Sequence, residues 1–204
     1  MEHIVTDRNE TIKNMADAAL NDTKELDSLV ELLNTGSRRE RQMAASAVTI
    51  VARQNPELLT GKIDVLIDAL NRPEAQTRWE CLETLAIMVE FDARACGKAI
   101  PEAEASLFDE ESGPVRLAAM RYLCALGATT ANRSEKVWPL IDEGIQCYHG
   151  DLEFNDMLTA ITEFSCGKLS DSVKEQLKER MSFDATSGKG AMKKRAQAII
   201  DNLA

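Results

Sequence analysis

Residues 108–126 read FDEESGPVRLAAMRYLCAL, a polar turn followed by apolar residues at helical spacing. Two earlier stretches follow the same pattern, LNRPEAQTRWECLETLAIM at 70–88 and LNTGSRRERQMAASAVTIV at 33–51. The three copies begin 37 and 38 residues apart. A fixed period of roughly 20–50 residues is typical of stacked repeats that share a core. The sequence therefore predicts a protein built from repeated helical units.

Six positions keep one register through these three copies. They are an apolar–polar pair before the turn, an arginine early in the following helix, and three core positions after it. The equivalent residues are Leu33-Asn34, Leu70-Asn71 and Phe108-Asp109; Arg41, Arg78 and Arg116; Ala44, Cys81 and Ala119; Val48, Leu85 and Leu123; and Val51, Met88 and Leu126.

Two further copies follow with weaker marks. The fourth copy keeps the core face of Met157, Ile161 and Phe164. It loses the arginine, since Phe154 stands at that position. The fifth begins at Phe183-Asp184 and recovers Ala196, Ile200 and Leu203 if two residues are inserted in the loop 186–190. The core pattern therefore extends over most of the chain.

Helices are expected almost everywhere, since no stretch shows convincing strand alternation. Ser37 and Glu40 have the spacing of a capping box at one helix start. We expect pairs of helices at 23–34 with 38–53, 62–71 with 74–90, 101–108 with 114–126, 136–147 with 152–165, and 171–182 with 191–203. Residues 8–20 predict an unpaired capping helix. Residues 92–98 predict a longer connection with a short extra turn, and Trp138-Pro139 is expected near the start of a first helix.

The segments Thr77-Arg78-Trp79-Glu80-Cys81 and Val115-Arg116-Leu117-Ala118-Ala119 place an arginine early in the second helix of a pair. Helical pairs of this length with such an arginine resemble HEAT repeats of the armadillo-type superfamily. The resemblance covers about residues 23–204 and is strongest over 26–126. It implies an all-α, right-handed α-solenoid of about five helical pairs with an N-terminal capping helix. The expected organisation is a single domain over 1–204, with repeats over about 23–60, 61–99, 100–134, 135–169 and 170–204.

The resemblance also implies a ladder between an acidic residue near each interhelical turn and the arginine of the second helix. Here Asn34, Asn71 and Asp109 lie seven residues ahead of Arg41, Arg78 and Arg116. This sequence departs from the family in residue type at two of these positions, and the fourth copy lacks both partners. The alternative for the three arginines is a phosphate-binding stripe, but their fixed repeat position favours a structural role.

Composition restricts the function classes. The chain has 24 Lys plus Arg against 34 Asp plus Glu, a net charge of −10, which disfavours a protein that binds nucleic acid through phosphates. No stretch approaches the roughly 20 apolar residues of a membrane span, and residues 1–10 lack the apolar core of a signal peptide. The five cysteines form no CxxC motif, and we expect reduced thiols that serve mostly as core residues. We expect a cytoplasmic protein without metal or cofactor.

The outward face of the second helices is the candidate binding surface. With Ala44, Val48 and Val51 toward the core, helical geometry turns Gln42, Ser46 and Arg53 away from it. The equivalent residues in the next two copies are Trp79, Glu83 and Glu90, then Leu117, Arg121 and Ala128. In HEAT-like solenoids this face tends to line the concave groove. Trp79 and Leu117 are apolar beside charged neighbours, a composition typical of a protein-binding hot spot. The alternative for Trp79 is packing over the adjacent repeat.

The sequence therefore predicts a non-enzymatic interaction or scaffold module whose partner is another protein or peptide, basic or mixed in charge. Two alternatives stay open. Some HEAT-like proteins are DNA glycosylases for alkylated bases, with a Trp and a carboxylate one helical turn apart, as in Trp79 with Glu83 and Trp138 with Asp142. The net charge of −10 disfavours this activity. The other alternative is an accessory subunit of a modifying enzyme.

Overall fold

The structure is a computed structural model that describes the backbone of residues 2–204 and the side chains from Asp7 onward. Throughout this described part the chain is helical or in turns, and no strand occurs. Two compact units are present, the first ending at Glu102 and the second beginning at Ala103. Their boundary falls within α6, which spans Ile100–Leu107.

The first unit contains five helices ahead of α6. They are α1 (Glu2–Asn21), α2 (Thr23–Thr35), α3 (Arg38–Gln54), α4 (Ile63–Ala69) and α5 (Ala75–Cys96), with short 3-10 turns at Pro56–Leu59 and Gly97–Ala99. The capping box predicted at the start of α3 is confirmed, because Ser37 N–H donates to the Glu40 carboxylate (2.7 Å) and Glu40 N–H donates to Ser37 Oγ (3.4 Å).

The helices of the first unit pack in two layers. α3 packs against α5, and α2 packs against α4. The N-terminal helix α1 packs against both α2 and α3, so it covers the first helical pair. One layer therefore consists of α1, α3 and α5, and the other of α2 and α4.

The second unit follows the same plan. Its helices are α7 (Gly113–Gly127), α8 (Ala131–Cys147), α9 (Phe154–Ser165), α10 (Asp171–Ser187) and α11 (Gly190–Asn202). α7 packs against α9 and α9 against α11, while α8 packs against α10. The second helices of the pairs thus form one layer and the first helices the other.

The predicted core face is confirmed in the first four copies. All twelve of its side chains are at most 1% exposed: Ala44, Val48, Val51, Cys81, Leu85, Met88, Ala119, Leu123, Leu126, Met157, Ile161 and Phe164. In the fifth copy Ala196 is buried, whereas Ile200 and Leu203 are half-buried at the end of α11. Cys81, Cys96 and Cys124 are buried free thiols, while Cys147 and Cys166 are exposed.

Helix boundaries differ from the sequence prediction at the start of α8 and at the ends of α10 and α5, among other places. The expectation that Trp138-Pro139 lies near a helix start is wrong, because α8 begins at Ala131, where Thr130 Oγ1 accepts from Arg133 N–H (3.3 Å). Pro139 is exposed, so the backbone bond that it removes lies on the outer side of the helix. α10 runs on through Ser187 instead of ending near 182. α5 runs on to Cys96 instead of ending near 90, and the extra turn expected at 92–98 follows a kink at Asp92, whose carboxylate accepts from Ala95 N–H (2.8 Å).

Candidate functional site

An open hollow of about 600 Å³ lies in the first unit, on the layer formed by α1, α3 and α5. Three helices contribute its lining side chains: Arg8, Asn9 and Ile12 from α1; Ser46, Thr49, Ile50 and Arg53 from α3; and Gln76 and Glu80 from α5. The predicted outward residues Ser46 and Arg53 thus face this space. Its volume lies in the range typical of ligand-binding clefts, roughly 300–1,000 Å³.

A line of hydrogen bonds crosses the hollow from α1 to α5. Arg8 Nη2 donates to Gln76 Oε1 (2.9 Å), and Gln76 Nε2 donates to Ser46 Oγ (3.0 Å). Ser46 Oγ in turn donates to Glu80 Oε1 (2.9 Å). Below this line, the buried Thr49 hydroxyl lies 3.1 Å from the carbonyl of Glu80. These bonds hold the polar groups in fixed positions, which lowers the entropy that a ligand must lose on binding.

The residues predicted as partner-binding are divided between α5 of the first unit and α7 of the second. Trp79 and Glu83 are half-buried on α5 and Glu90 is exposed, but none of the three is among the lining residues of the described part. Leu117 is half-buried and Arg121 exposed on α7 of the second unit.

Sequence reasoning missed Arg8, Gln76 and Glu80 as lining residues. Gln76 and Glu80 are one turn apart on α5, a spacing that the repeat comparison did not use. Arg8 was missed because α1 belongs to no complete copy of the repeat. The helical periodicity of α1 alone could have placed Arg8 on the same face as Ile12.

Arg41 joins the N-terminal ends of α3 and α5. Its Nη1 donates to the carbonyl of Gly36 (2.8 Å), and its Nε and Nη2 donate to the two carboxylate oxygens of Glu74, with Nε 3.2 Å from Oε2. Glu74 is 4% exposed, and these bonds from Arg41 lower the pKa of its carboxyl below the usual value. The carboxylate partner of Arg41 therefore comes from the start of the next second helix. Asn34 instead accepts from Arg72, through its carbonyl and its side-chain oxygen (both 3.0 Å).

Arg116 occupies the equivalent position in α7. Its Nη1 donates to the carbonyl of Asp109 (2.9 Å), its Nη2 lies 3.7 Å from Glu153 Oε2, and its guanidinium carbon is 5.0 Å from the centre of the Tyr148 ring. The Asp109 carboxylate is used elsewhere, since it accepts from Ser112 N–H (2.7 Å). Of the other ladder positions, Arg78 is half-buried on α5 and Asn71 is exposed.

Comparison with known proteins gives matches among solved structures only. No family model matches the chain, and no curated protein matches it. A designed armadillo repeat protein in complex with the peptide (KR)4 is 15% identical at a TM-score of 0.73, over 96% of this chain and 92% of that one. An engineered protein is 16% identical at 0.73, over 95% of this chain and 89% of that one. A computationally designed armadillo repeat protein for modular peptide recognition is 15% identical at 0.71, over 95% and 92%.

This chain has a HEAT/armadillo-like helical-repeat fold. The predicted all-α fold class is thereby confirmed. In this armadillo-like fold, the second helices of successive pairs are α3, α5, α7, α9 and α11. The hollow of the first unit therefore lies on the face of second helices, with α1 added at its N-terminal side.

The two Trp–carboxylate pairs of this armadillo-like chain have different surroundings. Trp138 is 5% exposed, and its Nε1 donates to Gln176 Oε1 (2.9 Å). Asp142 accepts two bonds from Arg180 (2.6 and 3.0 Å), which raise the pKa of that guanidinium. This pair is thus engaged with α10 and has no free carboxylate. Trp79 and Glu83 are both half-buried.

Among the described residues, no group of three or more His, Cys, Asp or Glu side chains is placed to hold a metal ion. His149 pairs with the buried Asp184, its Nε2 lying 3.0 and 3.2 Å from the two carboxylate oxygens. No helix of this part of the chain is long and apolar enough to cross a membrane.

Proposed function

We propose that this protein is a non-enzymatic module that binds an extended protein or peptide segment on the face of its second helices. The observation that carries the proposal is the hollow of the first unit, which is open, about 600 Å³ in volume and crossed by fixed polar groups. The likeness to designed armadillo repeat proteins, one of them in complex with a peptide, supports the same function.

An extended segment suits this face because its backbone and side chains offer both donors and acceptors. Asn9 carries an amide that can bond to such groups, and the Gln76 amide keeps one N–H beyond its bond to Ser46. Trp79 lies on the same helix as Gln76 and is only half-buried, so part of its surface is free to contact a partner. We propose that Trp79 is the apolar anchor in the first unit, flanked by Glu83 and Glu90.

Leu117 and Arg121 hold the equivalent positions on α7. We propose the same role for them, with Leu117 as an apolar contact and Arg121 as a charged neighbour. The partner would then be mixed in charge, because acidic and basic side chains both occur at these repeat positions.

A peptide-display screen on the purified protein, followed by calorimetric titration of the selected sequences, tests the proposal. Trp79→Ala is expected to weaken binding by roughly 30-fold, the size expected for a hot-spot aromatic. Helicity and melting temperature should change little. Phe91→Ala is the matched control, because Phe91 is an exposed aromatic on the same helix and stands outside the predicted face.

Two results would contradict the proposal. If the screen selects no sequence, the second-helix face binds no peptide. If Trp79→Ala instead removes several kcal/mol of stability, as expected for a core aromatic, Trp79 is a packing residue and the anchor has been wrongly assigned.

A further inference from the structure

We propose that the hollow between α1, α3 and α5 accepts an acidic side chain of the bound segment, together with an apolar neighbour. This inference rests on the proposed function and specifies the chemistry of the partner. Three features of the described lining support it: two arginines with no carboxylate partner among the described residues, one glutamate already hydrogen-bonded, and two isoleucines.

Arg53 is the first of the two arginines. It is exposed at the last turn of α3, on the lining of the hollow, and has no hydrogen bond or ion pair within the described part of the chain. None of its guanidinium donors is used by a residue whose side chain the structure describes, and a ligand can accept from them. A carboxylate can bind such a group through two parallel hydrogen bonds.

Arg8 is the second arginine, and it reaches the hollow from α1. Its Nη2 donates to the neutral amide of Gln76, whereas its Nε is buried and has no acceptor among the described residues. A buried donor without an acceptor costs free energy, and a ligand carboxylate would supply the missing acceptor. By contrast, Arg41 in the same unit already binds Glu74 through two of its nitrogens.

Among the described lining residues, Glu80 is the one that carries a carboxylate. One of its oxygens already accepts from Ser46, so part of its bonding capacity is used within the protein. The described lining therefore carries two positive groups and one negative group. A carboxylate would be attracted by the excess positive charge, whereas a lysine or arginine of the partner would be repelled by it.

Ile12 and Ile50 supply the apolar part of the hollow. Ile12 is buried on α1 and Ile50 is half-buried on α3. The volume of about 600 Å³ exceeds that of one acidic side chain, so a neighbouring apolar residue can enter with it. The expected ligand thus differs from the basic peptide (KR)4 of the designed armadillo complex.

Short fluorescent peptides of alternating Asp-Leu, Lys-Leu and Ser-Leu test the inference by anisotropy. The Asp-Leu peptide is expected to bind at least about tenfold more tightly than the Lys-Leu peptide. Arg53→Glu should weaken Asp-Leu binding by about tenfold or more, and Arg8→Gln should also weaken it. Arg39→Glu is the matched control, since Arg39 is exposed on the same helix and does not line the hollow.

The outcomes separate this inference from the proposed function. If all three peptides bind equally, or Lys-Leu binds best, the second-helix face still binds peptides but the preference for an acidic group is wrong. Equal effects of Arg53→Glu and Arg39→Glu would also overturn it, because only general charge would then matter. If none of the three peptides binds at about 1 mM although the display screen selects binders, the preference for an acidic group is wrong; if the screen also selects none, the proposed function itself fails. Circular dichroism of each variant verifies that the helices are intact.

Discussion

The two units use the same arginine position in different ways. In the first unit Arg41 binds both oxygens of Glu74, whose side chain is 4% exposed. In the second unit Arg116 lies 3.7 Å from a single oxygen of Glu153, which is 22% exposed, and its guanidinium also contacts the Tyr148 ring. Both arginines donate to a carbonyl of the preceding turn.

The two units share the bond from the arginine to the carbonyl of the preceding turn. They differ in how the arginine binds its carboxylate partner. A buried, bidentate ion pair in which every group is hydrogen-bonded is costly to break, whereas a longer pair to one oxygen of a half-buried carboxylate contributes less. We therefore expect the α3–α5 junction to depend on Glu74 more than the α7–α9 junction depends on Glu153. In the second unit, contacts other than the Arg116–Glu153 pair must therefore hold α7 against α9.

The close approach of Gly167 to Ala128, just after the C-terminal ends of α9 and α7, is one such contact, and Gly167→Ala gives the largest expected effect. A Cβ at Gly167 would lie 2.6 Å from the Ala128 Cα, and Lys168 N–H donates to the Ala128 carbonyl (2.8 Å). Because the obstacle is backbone, the cost should be about 3 kcal/mol, measured by urea unfolding. Gly97→Ala, in the first unit, is the control, since nothing lies within 4 Å of its added Cβ.

Cysteine labelling shows which unit Gly167→Ala affects. Burial raises the pKa of the Cys81 and Cys124 thiols, so each should stay unreactive until its own unit opens. The exposed Cys147 and Cys166 are blocked first. Faster labelling of Cys124 than of Cys81 in the variant is expected. Equal acceleration of both would show that the two units open together and that Gly167 is not specific to the second.

Glu74→Gln is expected to have the next largest effect, about 2 kcal/mol, because it removes a charge-assisted bond at a buried site. The variant also has a pH signature. Since Arg41 lowers the pKa of Glu74 in the folded state, the stabilisation is complete above the ordinary value of 4.5 and is lost as pH falls through the lower folded pKa.

The difference in unfolding free energy between wild type and Glu74→Gln should therefore be constant near neutral pH and shrink in acid. Chemical unfolding at several pH values measures it. A difference that stays unchanged down to acid pH would mean that Glu74 acts through packing alone.

Much of the fold was predictable from the sequence because core positions repeat as residue types. The apolar positions of α3, α5, α7 and α9 could be aligned by their spacing alone, and all are buried. The start of α8 was missed because Pro139 is a strong breaker signal in sequence, whereas in the structure it lies on an exposed helix face. The presence of the helix thus followed from the apolar periodicity, whereas its start depended on the exposure of Pro139 in the folded chain.

The ladder partners and the hollow were less predictable. Glu74 and Glu153 stand immediately before second helices, and the repeat comparison aligned neither of them with an acidic residue of another copy. Arg8 reaches Gln76 across 68 residues, a contact that no local pattern encodes. Contacts between side chains of different repeats depend on how the helices pack, and the repeat period does not specify that packing.

Glu153→Gln should have the smallest effect, about 0.5 kcal/mol, and it sharpens the comparison most directly. Arg116 keeps its bond to the Asp109 carbonyl and its contact with Tyr148 in this variant, so only a long, partly hydrated ion pair is lost. Urea unfolding beside Glu74→Gln measures both under identical conditions. If the two variants lose the same unfolding free energy, burial and bidentate geometry do not set the strength of these ion pairs. The arginine–carbonyl bond alone would then govern both the α3–α5 and the α7–α9 junction.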